Sequence, residues 1–259
     1  MTRKILIKIG GRAFDRQSCY QELADAFKRL HHMRFIIVHG GGNAISQALK
    51  EAKREPAFVD GYRITTEQDI KIVERVLSRE VNKSICSHLE KYGITCRSLS
   101  GKSKNLLHVE PYFRHGRSLG RVGKIKNINP SVVLRVLEEN QVPVISPVSA
   151  DQNGLTYNVN ADSAAAALAY ATTSSDLIYF TDVQGLVIDG RVQSALAAAE
   201  IKSLIDKGKI HGGMVAKMDS AFAALENGVK RVHITKWQGA RALEQMLDQN
   251  ETTGTVIQL

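Results

Sequence analysis

A chain of 259 residues suits one large α/β unit or two lobes sharing a sheet. Its 43% hydrophobic and 24% charged residues are the proportions of a globular protein, which excludes a disordered or fibrous chain. The formal net charge of +9 admits nucleic acid, an acidic surface or small anions as partners. The densest basic stretch, residues 114–126, lacks the interleaved aromatics of a nucleic-acid module, so a solvated surface or local attraction of anions is the reading preferred. No apolar run reaches the roughly 18 residues of a membrane span. The first residues lack the apolar core and cleavage site of a signal peptide, so a cytoplasmic protein is expected. Cys19, Cys86 and Cys96 form no CxxC pair and suggest neither a disulfide framework nor a zinc site.

Taken in chain order, residues 4–9 read as a strand, 19–30 as a helix, 34–38 as a strand and 43–53 as a helix. A long helical pattern over 66–90 leads to a strand at 94–99. Residues 106–128, rich in glycine and β-branched side chains, read as a hairpin excursion from the main sheet. Pro130 opens a helix at its first turn. A strand at 142–146 and an alanine-rich helix at 161–171, with Asn160 as its cap, come next. Residues 177–181 form a buried strand, followed by helices at 196–206 and 214–226, a strand at 231–235, a helix at 240–247 and a last strand at 255–258. This alternation predicts an α/β fold, a three-layer αβα sandwich with a largely parallel sheet. Two lobes are expected, 1–173 and 174–259, meeting where the alanine-rich helix ends in small polar residues.

Two glycine turns follow the first two strands: Lys8-Ile9-Gly10-Gly11 and His39-Gly40-Gly41-Gly42-Asn43. At the carboxyl ends of parallel strands such turns face a ligand crevice, where their N–H groups can meet phosphate oxygens. The second runs into a helix N-terminus, whose dipole favours an anion. One alternative is that they are tight strand-to-helix connections only. Neither is a GxxxxGK[ST] loop and neither has GxGxxG spacing. Lys8 interrupts an apolar strand, and a buried lysine needs a partner. Lys217 begins a helix one turn after Gly212-Gly213, and Asp162 lies in the first turn of the alanine-rich helix, where it serves the helix dipole or holds two lysines.

These segments resemble the amino acid kinase family. The resemblance runs over essentially the whole chain and rests on the two glycine turns, Gly61-Tyr62-Arg63-Ile64-Thr65, Val81-Asn82-Lys83, Leu99-Ser100-Gly101-Lys102 and Gly120-Arg121-Val122-Gly123. It continues through Asn158-Val159-Asn160-Ala161-Asp162, Thr181-Asp182-Val183-Gln184-Gly185 and Gly213-Met214-Val215-Ala216-Lys217. It implies transfer of a phosphoryl group from ATP to the side-chain carboxylate of N-acetyl-L-glutamate, a step of arginine biosynthesis. By the same resemblance Lys8 and Lys217 neutralise the transferring group, Asp162 orients both, and Gly11, Gly41 and Gly42 bind it through their amides. Arg63 and Asn158 match the substrate's α-carboxylate site. Gly10, Asp182, Val183, Gln184, Gly185, Leu186, Val187, Lys209, Ile210 and His211 match the nucleotide site. Mg2+ is implied as the nucleotide's own ion, with no metal ligands from the chain. The absence of a Ser/His/Asp or Cys/His set fits, because a carboxylate with a pKa of about 4.3 is already ionised at pH 7 and needs no base.

This sequence departs from the family at Tyr62, where aliphatic residues are common, at Ser103-Lys104-Asn105 and at His233-Ile234-Thr235-Lys236-Trp237. Trp237 reads as packing rather than an adenine stack. Two alternatives are a kinase acting on carrier-protein-linked aminoadipate or glutamate, which suits the positive charge, and a non-catalytic amino-acid-binding regulator. Arginine-inhibited members carry an additional N-terminal helix that interlaces dimers into a hexamer, whereas Met1 to Arg3 alone precede the first strand. A homodimer insensitive to arginine is therefore expected, built on the long helix with its stripe of Ile70, Val73, Leu77 and Val81.

Overall fold

The structure is a computed structural model describing residues 2–10, 13–14 and 16–259. Its centre is an eight-stranded sheet in the order β14-β16-β15-β11-β1-β2-β8-β5. The middle is parallel: β1 (Arg3–Ile9) lies between β2 (Met33–His39) and β11 (Asp176–Thr181), with β15 (Arg231–Lys236) beyond β11. On the other side β8 (Val142–Ser146) and β5 (Cys96–Ser100) complete the parallel run. β1, β2, β8 and β11 are near-continuous apolar runs because both their faces are covered, as parallel sheets require, whereas β5 at the edge is polar and partly exposed. β16 (Thr255–Gln258) runs antiparallel to β15, and β14 (Ala195–Ala197) pairs parallel with its far edge, so both run against the other strands.

Helices α1 (Gln17–Arg29), α4 (Asn82–Lys91) and α9 (Ala240–Asp248) cover one face, burying Leu23, Phe27, Leu89 and Leu243 against Ile5, Ile7 and Ile37. Helices α5 (Ser131–Glu138), α6 (Ala161–Ala171), α7 (Ala198–Asp206) and α8 (Gly213–Glu226) cover the other, packing on Leu6, Ile36 and Leu177. This is the expected three-layer αβα sandwich. Among the described residues no helix is long and apolar enough to cross a membrane.

The region read as a hairpin excursion is larger than a hairpin. β6 (Leu107–Arg114) and β7 (Arg117–Ile128) pair antiparallel and close into a small barrel with β9 (Val148–Ala150) and β10 (Thr156–Val159). Three of the basic side chains here are paired: Arg114 with Asp60, Arg121 with Glu67 and Lys126 with Glu110. A short hairpin, β3 (Ala57–Val59) and β4 (Tyr62–Ile64), joins the barrel through Thr65 and Gly120.

Two further readings change. The helix over 66–90 is continuous but not uniform: α3 (Asp69–Glu74) passes through a π-helical stretch, Arg75–Val81, into α4. Thr66 and Asp69 exchange hydrogen bonds at its start, a capping box that explains where it begins. Its stripe of Ile70, Val73 and Leu77 packs within the chain, on Ile45 and Leu49 of α2 (Gly42–Glu51) and on Val148. The helix expected from residue 196 starts at Ala198 instead, because Leu196 is drawn into parallel pairing with Ile257. A last hairpin, β12 (Val187–Ile188) and β13 (Arg191–Val192), precedes β14.

Candidate functional site

The carboxyl ends of β1, β2 and β11 open on one cleft. Lys8 points to the α6 side of the sheet, since its neighbours Ile7 and Ile9 take the α1 side. Its ammonium meets Asp162 Oδ1 at 2.8 Å, and Lys217 Nζ meets Asp162 Oδ2 at 2.8 Å. Asp162 reaches this point because Asn160 caps α6, its Oδ1 accepting from the amides of Asp162 (2.8 Å) and Ser163 (3.0 Å). Both lysines are 8% exposed. Burial pushes the Asp162 carboxyl up, but Lys8 and Lys217 outweigh it and hold the group well below the usual carboxylate range. Burial lowers the Lys217 pKa against the opposing pull of Asp162, with Lys8 adding to the lowering. Tyr179 supports the trio from below: its hydroxyl donates to Asp162 O at 3.2 Å, and Lys217 Nζ lies 4.7 Å from its ring centre.

Gly10 sits where a Cβ would overlap the Lys8 ammonium, so a side chain there would push that ammonium from its place on Asp162. Gly11, assigned with it, lies outside the described residues. In the second turn the Gly40 N–H donates to Ile9 O at 2.8 Å, tying the two turns together. A Cβ on Gly41 would come within 2.6 Å of Leu77 Cδ2, so a side chain there would displace the Leu77 methyl that the π-helical stretch packs against this turn. Gly41 caps α2 and Gly42 is its first residue, which leaves the first N–H groups of that helix facing the cleft.

A cavity of about 260 Å³ opens beside these amides, lined by Lys8, Gly40 to Gly42, Arg63, Asn158 and Asp162. It is smaller than the roughly 300–1,000 Å³ of drug-sized pockets and suits a small polar molecule. Arg63, from β4, is clamped by Gly42 O (2.9 Å) and Ser46 Oγ (2.8 Å) through Nη2, and its guanidinium lies 4.5 Å over the Phe58 ring. Its Nη1 is buried with no partner among the described residues, a donor directed at something that the chain does not supply. Asn158 donates to Thr65 Oγ1 at 3.2 Å and borders the same cavity. Tyr62 stands between this cavity and a second of about 290 Å³ under β6, β7, α6 and α8. Its ring meets Tyr112 edge-on at 5.0 Å, and burial, with Tyr112, pushes its hydroxyl up to about 12.

The other assigned residues gather at the carboxyl end of β11 and beside it. Asp182 follows the strand and its charge reaches Lys217. Val183 and Val187 are exposed, while Leu186 and Ile210 pack into the core, so what those two offer a ligand is backbone. A Cβ on Gly185 would crowd Thr255 and Val192. Lys209 pairs with Asp189 at 2.6 Å, and His211 is exposed beside Gly212. Trp237 packs: it lies edge-on to Phe180 and donates to Glu22 Oε2 at 2.9 Å.

Three contributors carry no assignment from sequence reasoning: Tyr179, His39 and Asn82. Asn82 is fully buried, and the two hydrogens of its amide nitrogen serve Val144 O (2.9 Å), His39 Nε2 (3.0 Å) and Leu99 O (3.2 Å), one of them shared. His39 and Asn82 both stand in segments that carry the family resemblance, and Asn82 is also a polar residue in the core-facing register of the long helix.

The model of the amino acid kinase family matches residues 3–236. An acetylglutamate kinase of Geobacillus stearothermophilus is 39% identical over 240 residues, 90% of this chain and 90% of the relative. That of Pseudothermotoga lettingae is 35% identical over 243 residues, 93% of this chain and 86% of the relative. A Streptococcus mutans protein of known structure superposes with a TM-score of 0.82 at 30% identity, over 100% of this chain and 99% of its own. Two cations on one buried carboxylate, beside free helix-terminal amides at the ends of parallel strands, occur here on a chain matched by the family model over almost all of its length. The chain belongs to the amino acid kinase family and is a kinase.

Proposed function

We propose that the chain transfers the γ-phosphoryl group of ATP to the side-chain carboxylate of N-acetyl-L-glutamate, giving N-acetyl-L-glutamyl 5-phosphate and ADP, within arginine biosynthesis. The observation that carries this reading is the Lys8–Asp162–Lys217 trio beside the second glycine turn, on a chain whose relatives are acetylglutamate kinases. Two anions must approach in line, and phosphoryl transfer is catalysed mainly by alignment and charge neutralisation. The ionised carboxylate attacks phosphorus, the bond to the ADP oxygen breaks, and the charge on the equatorial oxygens falls to Lys8, Lys217 and the Gly41 and Gly42 amides. Asp162 keeps both ammoniums in place without touching the phosphoryl group. Arg63, with its unpartnered Nη1, and Asn158 hold the α-carboxylate. Asp182 to Val187 and Lys209 to His211 carry the nucleotide.

The described residues of the cleft do not suit a resident metal. Both Asp162 oxygens face lysines, and the described residues hold no cluster of three His, Cys, Asp or Glu able to cage an ion. In this proposal Mg2+ arrives on the nucleotide, held by phosphate and water, where it neutralises charge. Residues 1–173 serve the acylamino acid and residues 174–259 the nucleotide, a division supported by Arg63 lying in the first and Lys217 in the second. A cytoplasmic homodimer completes the reading; β5 ends the sheet and offers an edge for pairing.

The test is ADP release with hydroxylamine trapping of the acyl phosphate, using N-acetyl-L-glutamate, unacylated L-glutamate and a carrier-linked glutamate. Product with N-acetyl-L-glutamate alone is expected. Product only with the carrier-linked acid replaces the substrate, and ATP turnover with none of them removes the reading.

A further inference from the structure

His39 closes β2 with its ring on the α4 side of the sheet, opposite Lys8, and is 1% exposed. Its Nδ1 lies 2.9 Å from Gly40 O, and a carbonyl only accepts, so Nδ1 carries the proton. Its Nε2 faces the Asn82 amide nitrogen, a donor, at 3.0 Å and is therefore bare. The Asn82 amide cannot reverse. Its nitrogen also reaches the carbonyls of Val144 and Leu99, and its oxygen accepts from Ser98 Oγ at 2.5 Å. Asn82 thus selects one tautomer of a neutral imidazole.

That tautomer has a consequence one peptide further on. In a planar trans peptide the C=O and the following N–H point in opposite directions. With the Gly40 carbonyl held toward His39, the Gly41 N–H is held toward the cleft. Among the described residues that N–H has no acceptor, whereas the Gly40 N–H is committed to Ile9 O. Flipping this single peptide, easy between glycines, would turn a carbonyl oxygen toward the phosphoryl oxygens.

We propose that His39, locked by Asn82, is a positioning residue that fixes the Gly40–Gly41 peptide and so aims the Gly41 N–H at the transferring phosphoryl group. This rests on the reading of the cleft as a phosphoryl-transfer site. His39 itself touches no reacting atom. Lys8, on β1, is the charged group whose field reaches the ring; from α4 it meets the uncharged Asn82, with the Cys86 thiol behind. Burial, and then Lys8, oppose the imidazolium, and the Gly40 bond offsets them only in part, leaving a pKa of about 4.

Nitrogen-15 spectra of the imidazole in the wild-type protein test the lock without any assay. A protonated Nδ1 with a bare Nε2 is expected at pH 7 and unchanged at pH 5.5; the opposite tautomer, or an imidazolium at pH 5.5, overturns the proposal. Kinetics test the consequence. His39→Asn places an amide nitrogen where Nδ1 sits, while His39→Gln carries its amide out to the Nε2 position, where its oxygen accepts from Asn82, and loses the bond to Gly40. His39→Gln is expected to lose kcat by a factor on the order of 10², with KM for both substrates little changed, as when one aimed donor is lost. His39→Asn is expected to recover most of it. Equal losses in the two variants, or a loss expressed in KM, assign His39 a merely structural role. A wild-type protein inactive on acetylglutamate removes the functional reading but leaves the tautomer measurement decisive for the lock.

Discussion

Lys8, Asp162 and Lys217 illustrate how one buried carboxylate sets the state of two cations. Each ammonium alone would pay a desolvation cost of several kcal/mol, and Asp162 offsets it for both. Asp162→Asn therefore leaves two like charges facing a neutral amide, and is expected to destabilise the chain by about 3–5 kcal/mol in urea unfolding. A loss below about 1 kcal/mol would show the lysines swinging out to water. Lys8→Ala and Lys217→Ala are each expected to lower kcat by a factor on the order of 10² or more with a smaller effect on KM, because the charge they neutralise develops in the transition state. Arg63→Lys should raise KM for the acylamino acid far more than KM for ATP, since lysine cannot reproduce a planar fork clamped at Nη2 with Nη1 free. At this scale the sequence was readable where a residue broke its local pattern. A lysine in an apolar strand and an acid in the first turn of an alanine-rich helix announce themselves. Tyr179 does not: within Leu177-Ile178-Tyr179-Phe180 it reads as one more apolar residue, and only the fold places its hydroxyl on Asp162. His39 was hidden in the same way, by reading the turn for its glycines.

Among the elements, α6 places the site most directly, because its cap and Asp162 are two residues apart. Asn160→Ala removes an acceptor from two orphan amides and is expected to cost about 1 kcal/mol of stability. A drop in kcat larger than that stability loss explains would show that the cap also sets the carboxylate's position. Gly120 serves the barrel in a different way. Its φ is +71°, and a Cβ there would run into the Thr65 carbonyl. Gly120→Ala should weaken the link between β4 and β7, read as faster amide exchange at Arg121, whose N–H bonds Thr65 O. The core strands and most helices were legible from apolar runs and helical spacing, which depend on neighbours in sequence. The barrel was not. Its strands β9 and β10 are three and four residues long, and they exist through the long-range pairings of Asn158 with Val122 and His108 with Ala150. Leu196 shows the same limit, since a helix-forming sequence yields to a strand partner at Ile257, 61 residues away. The π-helical stretch also left no mark on the apolar pattern, although it brings Leu77 onto Gly41 and Asn82 onto His39.

Across the whole molecule, buried carboxylates bind cations at both ends of the sheet. At the end away from the cleft, Asp176 is fully buried and accepts from Arg3 (2.9 Å), Arg231 (2.7 Å) and His233 (3.1 Å), joining β1, β11 and β15 at their starts. Burial raises the Asp176 pKa, but His233, Ser175 and Arg3 outweigh it and hold the carboxyl well below its usual range. This arrangement predicts how stability depends on pH. His39 titrates near 6.5 when unfolded and at about 4 when folded. Above pH 6.5 neither state binds the proton and stability is flat. As pH falls from 6.5 to 4 the unfolded chain takes up a proton that the native ring refuses, so stability declines, by about 3 kcal/mol for this group at the lower limit. His233, also lowered by burial despite Asp176, acts in the same direction. Asp162 and Asp176 act later. Both carboxyls are depressed in the fold, so their contribution is complete above the unfolded pKa near 3.8 and is lost below it. Urea midpoints measured from pH 8 to pH 3.5 should therefore show a plateau, a first decline beginning near pH 6.5 and a steeper one below pH 4. His39→Asn should shrink the first decline to the share of His233 and leave the second unchanged. A plateau extending to pH 4.5 in the wild-type protein would mean that His39 is protonated in the native state, and would break the Asn82 lock as well.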